Sequence, residues 1–491
     1  MAVPFSPSAL AGVPLAHAVR APEAVALSFE GEGITYAQLA ERCDRAAAQL
    51  WNVWGVRPGD RVAWLGANHP AQLTLLFALA RIGAILLPLN FRLATAEWDA
   101  QVRHCGASHL VHDVVWADAA AQLGARHALP VHAAQSLGEG SDALSAPFPG
   151  DDASPALLVY TSGTTREPKA ALHTQGMLRA NMAIAAQVQE MEPHDIVATM
   201  LPMFHVGGLC IQTLPALHAG ARIVLHPRFT PDAAFDCFER DGPTLTLQVP
   251  ATMKAMVDHP RWGDANLASL RAVWAGSSLL PAPLVAAFHA KGVPVCNVYG
   301  TTETGPFSIA LPAAQAASHA GSCGWPAPGV EVKLLDVQGG IGEVLVRGPN
   351  VIANYWPDLP ARDAQDWFHT GDLASVAQDG SYTLVGRAKD LIISGGENIH
   401  PAEIEALLED HSAVLECAAF GVADDAWGEV VAVAVVLREG HAASQAELES
   451  HLAGRIARYK LPRRWFWLDA LPKTALGKLQ RQALAKLAAP R

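Results

Sequence analysis

The chain lacks most of the features that assign a protein to a specialised class. Its 7 cysteines lie far apart, are odd in number and form no Cys-x-x-Cys pair. Neither a disulfide framework nor a zinc site is therefore expected, and a reducing, cytoplasmic setting fits. Charged residues make up only 17% against 51% hydrophobic, with no low-complexity tract or internal repeat; an ordinary globular chain follows. No apolar run is long enough to span a membrane. The most apolar stretch, 71–89, carries Gln72 and Arg81 and reads as a helix then a strand inside a core. The first residues show no basic region followed by an apolar run, so no secretory signal is expected. A formal net charge of -12 argues against a nucleic-acid binder as a whole. The Gly-x4-Gly-Lys-Ser/Thr spacing is absent, and no Gly-x-Gly-x-x-Gly follows an early strand. A Walker-type phosphate loop and a nicotinamide-binding Rossmann domain are thereby disfavoured.

What is present is more specific. The apolar run Ala156–Tyr160 reads as a short buried strand. It opens into Thr161-Ser-Gly-Thr-Thr-Arg-Glu-Pro-Lys169. Backbone N–H groups and the hydroxyls of Thr161, Ser162, Thr164 and Thr165 around Gly163 suit phosphate oxygens, and Lys169 adds positive charge. A polar surface loop has the same composition, so this segment alone does not decide. Charge is also uneven. Residues 451–491 hold ten Lys/Arg and one acid, Asp469, a formal +9 against -21 for the rest. Such a tail is either a solvated face or a site for an anionic ligand.

At 491 residues the chain holds two or more domains. Through 30–340, helical patterns alternate with short apolar runs at 61–65, 84–88, 221–225 and 293–299, the pattern of βα units with mostly parallel sheets. From about 322 to 388, β-rich runs at 330–335 and 342–347 alternate with Gly/Pro/Asp turns, which suggests a small antiparallel or barrel-like part. After Gly386–Asp390 the pattern predicts a helix at 401–408, a strand pair at 414–422 and 430–437, and a helix at 444–458. The expected fold is α/β: a large N-terminal domain (1–388) of βα sheets with the barrel-like part, and a small mobile α+β domain (389–491).

Five further segments follow the loop in order: Leu201-Pro-Met-Phe-His-Val-Gly-Gly208, Asn297-Val-Tyr-Gly-Thr-Thr-Glu-Thr304, His369-Thr-Gly-Asp-Leu373, Gly386–Pro401 and Pro472–Arg481. Together the six resemble the adenylate-forming superfamily of acyl- and aryl-CoA synthetases, peptide-synthetase adenylation domains and luciferases. The resemblance covers nearly the whole chain. It implies two half-reactions. A carboxylate first attacks the α-phosphate of ATP, giving an acyl-adenylate and pyrophosphate. A thiol, usually that of coenzyme A, then displaces AMP.

The resemblance also implies roles. Thr161–Thr165 and Lys169 would hold the β- and γ-phosphates. Tyr299 would face adenine, with Gly300, Thr301 and Thr302 around the nucleotide. Glu303 would be the Mg2+ ligand, since a hard cation bridging phosphates takes carboxylate oxygen. Asp372 suits two ribose hydroxyls, and Arg387 would reach the same sugar or the phosphates. Lys478 matches the adenylation lysine, His205 would stand between acyl pocket and thiol channel, and Asn398 matches a residue some relatives use in catalysis. Lys389 aligns with the hinge on which the small domain turns between half-reactions, presenting Gly395 and Gly396 to the pantetheine arm. Arg455, Arg458, Lys460, Arg463, Arg464 and Lys473 become candidates for the phosphates of coenzyme A.

The acyl pocket is expected from Met203, Val206, Leu209, Val273, Trp274, Val298 and Phe307, all apolar. A second carboxylate would need a buried cation and an amino acid a buried acid; neither is in evidence. A monocarboxylic acid, fatty or aromatic/cinnamic, is expected. Two other functions remain: a loader of a carrier protein, and a non-catalytic nucleotide- or acyl-binding relative, disfavoured because Lys478, Glu303 and Asp372 are all present. The first motif departs from the usual pattern, with Arg166 where glycine is common and Ala170 replacing another. If position 166 needs positive φ, arginine there costs on the order of 1 kcal/mol. Arg166→Gly should keep ATP-dependent acid activation within about tenfold, equivalent to ~1.4 kcal/mol of barrier. Complete loss in a pyrophosphate-release assay would reveal a catalytic role for the arginine.

Overall fold

The computed structural model describes residues 9–139, 151–161, 169–276, 280–394, 397–424, 427–453, 455–474 and 477–488. Its contacts divide the chain into two compact units. One runs up to Lys333 and includes Leu345–His369; the other takes Leu334–Val344 and Thr370 onward.

The first unit is built on two large sheets. In the nine-stranded sheet, strands Val295–Tyr299, Ala272–Gly276, Leu245–Gln248, Ile196–Thr199, Arg222–Leu225 and Val25–Phe29 lie side by side in that order. All these neighbours pair parallel. Parallel strands with helical crossovers are buried on both faces, and the strands read accordingly as near-continuous apolar runs. On one face Val273, Ala275, Ala198 and Met200 pack on Phe235, Phe238, Met253 and Phe288.

The eight-stranded sheet carries the loop strand. Pro155–Thr161 pairs parallel with Ile85–Leu89 and antiparallel with Lys169–Thr174, with Thr161 opposite Lys169. The strands expected at 61–65, 84–88, 156–160, 221–225 and 293–299 form as Arg61–Leu65, Ile85–Leu89, Pro155–Thr161, Arg222–Leu225 and Val295–Tyr299. The stretch 71–89 is a helix, Pro70–Arg81, followed by Ile85–Leu89. Proline at the first helical position and the His69 ring, which accepts from the Ala71 N–H at 3.0 Å, fix where that helix starts. No helix among the described residues is long and apolar enough to cross a membrane.

The β-rich stretch forms an open four-stranded sheet, in the order Glu331–Gln338, Ile341–Arg347, Phe368–Val376, Tyr382–Arg387. The last two pair antiparallel, so the second compact unit takes in 370–388 as well as the residues after Lys389. That unit contains the expected helix, Pro401–Glu409, and the expected strand pair, Val414–Asp424 with Gly428–Leu437. Ile404, Leu408 and Leu448 cover one face of its sheet, Leu484 the other. One expectation fails: the helix read as 444–458 is Gln445–Leu452 only. Ser444 caps it by accepting from the Glu447 N–H, but Ala453 turns extended. Gly454 follows in the sequence, and glycine is among the weakest helix formers.

An ion pair with a buried carboxylate ties the starts of three strands of the nine-stranded sheet. Asp195, 2% exposed, accepts from Arg271 Nε at 3.0 Å and Nη2 at 2.8 Å, and from Thr244 Oγ1 at 2.6 Å. Burial alone would raise its carboxyl, but Arg271, Thr244 and the Glu192 N–H outweigh burial and hold it below the usual carboxylate range. The folded value lies under the unfolded one, so this stabilisation is present above the unfolded carboxylate value and fades as pH falls through the folded one. Asp195→Asn is expected to cost on the order of 2 kcal/mol near neutral pH. The gap from wild type should close below about pH 4. Chemical denaturation across that range reads it out, and an undiminished gap at low pH would contradict the assignment.

Candidate active site

The carboxyl ends of the parallel strands of the nine-stranded sheet bring two of the motifs, Leu201–Gly208 and Asn297–Thr304, to one edge. Gly276 stands opposite Val298 in the register, and Tyr299 ends its strand. Tyr299 is buried and its carbonyl accepts from the Ser308 N–H at 3.0 Å. Gly300 follows because nothing larger fits: a Cβ there would lie 1.7 Å from the Pro306 carbonyl oxygen. The chain then turns through Thr301–Thr304. The Thr301 N–H donates to Thr304 Oγ1 at 2.9 Å, and Asn350 Nδ2 donates to the Thr304 carbonyl at 2.7 Å.

Glu303 projects from this turn and accepts from Tyr355 Oη at 3.0 Å. Its backbone carbonyl accepts from the Ile352 N–H at 2.8 Å. Burial first, then the Glu303 charge, push the Tyr355 phenol well above its ordinary value. Lys169 Nζ stands 5.4 Å from the centroid of the same tyrosine ring, within cation–π range. The structure thus gathers Lys169 and Glu303 around a residue that no motif named. Tyr355 carried no signal, since a two-residue strand, Asn354–Tyr355, is too short for periodicity. The donor set suits a divalent cation on phosphates: a carboxylate already held through one oxygen, beside a lysine for the anionic ligand. Thr161 ends its strand, with Oγ1 3.4 Å from the Lys169 carbonyl. Ser162, Gly163, Thr164, Thr165 and Arg166 lie outside the described residues, as do Gly395 and Gly396.

His205 caps the turn Val206–Gly208, its Nδ1 accepting from the Gly207 N–H at 3.0 Å. In the neutral ring the proton therefore sits on Nε2. The next turn, Leu209–Thr213, is a π-helix, whose orphaned carbonyls need outside donors. Asn181 Nδ2 donates to the Cys210 carbonyl at 2.7 Å, Gln189 Nε2 to that of Ile211 at 2.7 Å, and Thr213 Oγ1 to that of Gly208 at 2.6 Å. Gly208 is required, since a Cβ would lie 2.3 Å from the Pro202 carbonyl oxygen. Of the expected pocket residues, Met203, Val206, Leu209, Trp274, Val298 and Phe307 are all buried, and the Trp274 and Phe307 rings lie 5.9 Å apart. Val273 is a correction. Successive strand residues alternate faces, and it belongs to the core with Phe235 and Phe288, on the side away from Trp274.

The remaining residues sit in the second unit. Asp372, 5% exposed, is opposite Arg387 in the strand pair, and Arg387 Nε reaches its Oδ1 at 2.7 Å. Gly371, at φ +69, makes the bend before it, and its N–H donates to Glu343 Oε1 at 3.0 Å. Lys389 lies in the short turn Ala388–Asp390. Asn398 falls on strand Glu397–Ile399, opposite Ile393. Lys478 is exposed on a tight turn, where the Thr474 N–H donates to its carbonyl at 2.8 Å and Gly477 takes φ +78. Arg481 anchors the segment after that turn, bidentate to Glu405 at 2.6 and 2.8 Å and 3.4 Å from Asp390. Two of the basic candidates for coenzyme A are already engaged: Lys460 with Glu403 at 2.7 Å, and Lys473 with Glu416. Arg463 lies over the exposed Trp427 ring, 4.4 Å from its centroid.

Comparison with known proteins shows the family. Residues 15–356 match the family described as AMP-binding enzyme, and 403–478 match the AMP-binding enzyme C-terminal domain. An indoleacetate–CoA ligase of Aromatoleum aromaticum is 42% identical, with 96% of this chain and 97% of that protein covered. A feruloyl-CoA synthase of an Amycolatopsis species is 39% identical, with 95% and 96% covered. Among solved structures, o-succinylbenzoate coenzyme A synthetase of Bacillus subtilis in complex with ATP and magnesium superimposes with a TM-score of 0.87 at 30% identity, covering 96% of this chain and 98% of that one. The chain belongs to the AMP-binding enzyme family, as an AMP-forming acid–CoA ligase of the adenylate-forming superfamily that uses ATP, Mg2+ and coenzyme A.

Proposed function

We propose that this ligase activates an aromatic carboxylic acid on a short side chain, of the indoleacetate or ferulate kind. The observation that carries the reading is the neutral, ring-bearing lining at the strand ends. Trp274 and Phe307 are buried together, and the stretches 201–211, 272–276 and 295–299 contain no Asp, Glu, Lys or Arg. A second charge on the acid would be buried without a partner, whereas aromatic rings pair favourably with rings at such distances. The two relatives at 42% and 39% identity, named for indoleacetate and feruloyl substrates, support it.

In the first half-reaction a carboxylate oxygen of the acid attacks the α-phosphorus of ATP. The bond from that phosphorus to the bridging oxygen breaks, and pyrophosphate leaves. Thr161–Thr165 and Lys169 hold the phosphates that become pyrophosphate. Glu303 holds Mg2+, which when bound neutralises phosphate charge. Tyr299, with Gly300, Thr301 and Thr302, borders the adenine, and Asp372 with Arg387 holds the ribose. Lys478 offsets charge at the attacking carboxylate and α-phosphate. Lys389 is the hinge that separates domain 1–388 from 389–491 in motion. After rotation the thiol of coenzyme A passes Gly395 and Gly396, attacks the acyl carbon, and expels AMP. His205 and Asn398 border that step. All seven cysteines are buried and none is in a disulfide, which supports a cytoplasmic setting.

The test is pyrophosphate release and thioester formation with a panel of indoleacetic, cinnamic, benzoic and straight-chain fatty acids, with and without coenzyme A. The best aryl acid is expected to exceed every fatty acid in kcat/KM by at least about tenfold, ~1.4 kcal/mol of discrimination. A fatty acid in first place would overturn the substrate reading. Release without any coenzyme A thioester would point to a carrier-protein acceptor.

A further inference from the structure

Tyr355 belongs to none of the motifs, yet it touches two of the groups read as holding the nucleotide. Its two-residue strand pairs with Ala171 on the strand that begins at Lys169. The neighbouring Trp356 N–H donates to the Ala170 carbonyl at 2.8 Å. The tyrosine backbone is therefore fixed to the strand that closes the phosphate loop. Its side chain crosses to the other motif, with Oη donating to Glu303 Oε1 at 3.0 Å. Its ring face lies 5.4 Å from Lys169 Nζ. The turn that carries Glu303 is held from the same segment, since the Ile352 N–H donates to the Glu303 carbonyl at 2.8 Å. Residues 352–356 thus form a clip between two sheets.

We propose that Tyr355 is a positioning residue for the metal–nucleotide site: its hydroxyl holds Glu303 by Oε1 and so presents Oε2 to Mg2+, while its ring holds the Lys169 ammonium for the phosphates. The inference rests on Glu303 being the metal ligand and Lys169 a phosphate ligand, as proposed above. The physical need is plain. A glutamate and a lysine are among the side chains with most rotamer freedom to lose. Left unrestrained, two opposite charges in one site also attract each other in preference to the ligand. A phenol satisfies both conditions, because it donates a hydrogen bond to one carboxylate oxygen and offers an uncharged π-face to the cation. Partners of this kind behind a ligating carboxylate typically contribute about 10- to 100-fold in metal affinity.

Tyr355→Phe removes the hydroxyl and keeps the ring. In the full-length enzyme, the Mg2+ concentration for half-maximal pyrophosphate release is expected to rise at least about tenfold. kcat at saturating Mg2+ should fall by much less, and the melting temperature should hardly move. Independently of turnover, Mn2+ binding to the enzyme with a non-hydrolysable ATP analogue, followed by electron paramagnetic resonance, should weaken by the same factor. Tyr355→His keeps a ring and an N–H donor; it should recover part of that affinity, and it carries the comparison if the phenylalanine variant fails to fold. Unchanged Mg2+ dependence and Mn2+ affinity in Tyr355→Phe would overturn the proposal. Glu303→Gln separates the two readings. If it weakens Mn2+ binding and Tyr355→Phe does not, the positioning role alone is wrong. If Glu303→Gln leaves Mn2+ binding intact, the metal-ligand reading itself fails.

Discussion

The site depends on parallel pairing. Strands Ile196–Thr199, Leu245–Gln248, Ala272–Gly276 and Val295–Tyr299 run side by side in parallel, so their carboxyl ends reach one edge together. Ligands of open α/β sheets gather at such edges, where loops from several strands converge. Here the edge supplies the His205 segment and the Tyr299–Glu303 turn. The apolar lining at Trp274, Val298 and Phe307 comes from the same region. Close backbone packing holds these loops: at Gly208 and at Gly300 a single added carbon would collide with a carbonyl. Those two glycines are therefore explained by the protein's own packing before any ligand is considered.

Charge is handled in pairs. Asp372 is met by Arg387, and Arg481 is shared between Glu405 and Asp390. Glu303 and Lys169, whose proposed work is to meet magnesium and phosphate, instead contact a tyrosine. Groups that must exchange protein partners for a ligand are better held by a neutral side chain than by a strong counter-ion, whose loss on binding would cost as much as the ligand returns.

Much of this was legible in the sequence, for physical reasons. Buried parallel strands read as apolar runs, so the strands at 61–65, 85–89, 155–161, 222–225 and 295–299 showed themselves, and six ordered motifs identified the superfamily. The helix expected at 444–458 ends at Leu452, where Ala453 already turns extended. Val273 was counted with the pocket residues because a fully buried strand has no polar alternation to mark its sides. Tyr355 was invisible because its importance is a contact across 52 residues of sequence. The engagement of Lys460 by Glu403 and of Lys473 by Glu416 was hidden likewise, each pair being 57 residues apart. The resemblance together with the basic charge of the segment made both lysines candidates for coenzyme A.

The central claim is that the chain forms an acyl-adenylate from an aryl acid before any thiol takes part. Acid-dependent exchange of labelled pyrophosphate into ATP, in the complete absence of coenzyme A, tests it most directly. The account predicts exchange that requires both Mg2+ and an aryl acid such as indoleacetate or ferulate, and that proceeds without coenzyme A. Exchange that appears only when coenzyme A is added, or no exchange with any aryl acid, would contradict it.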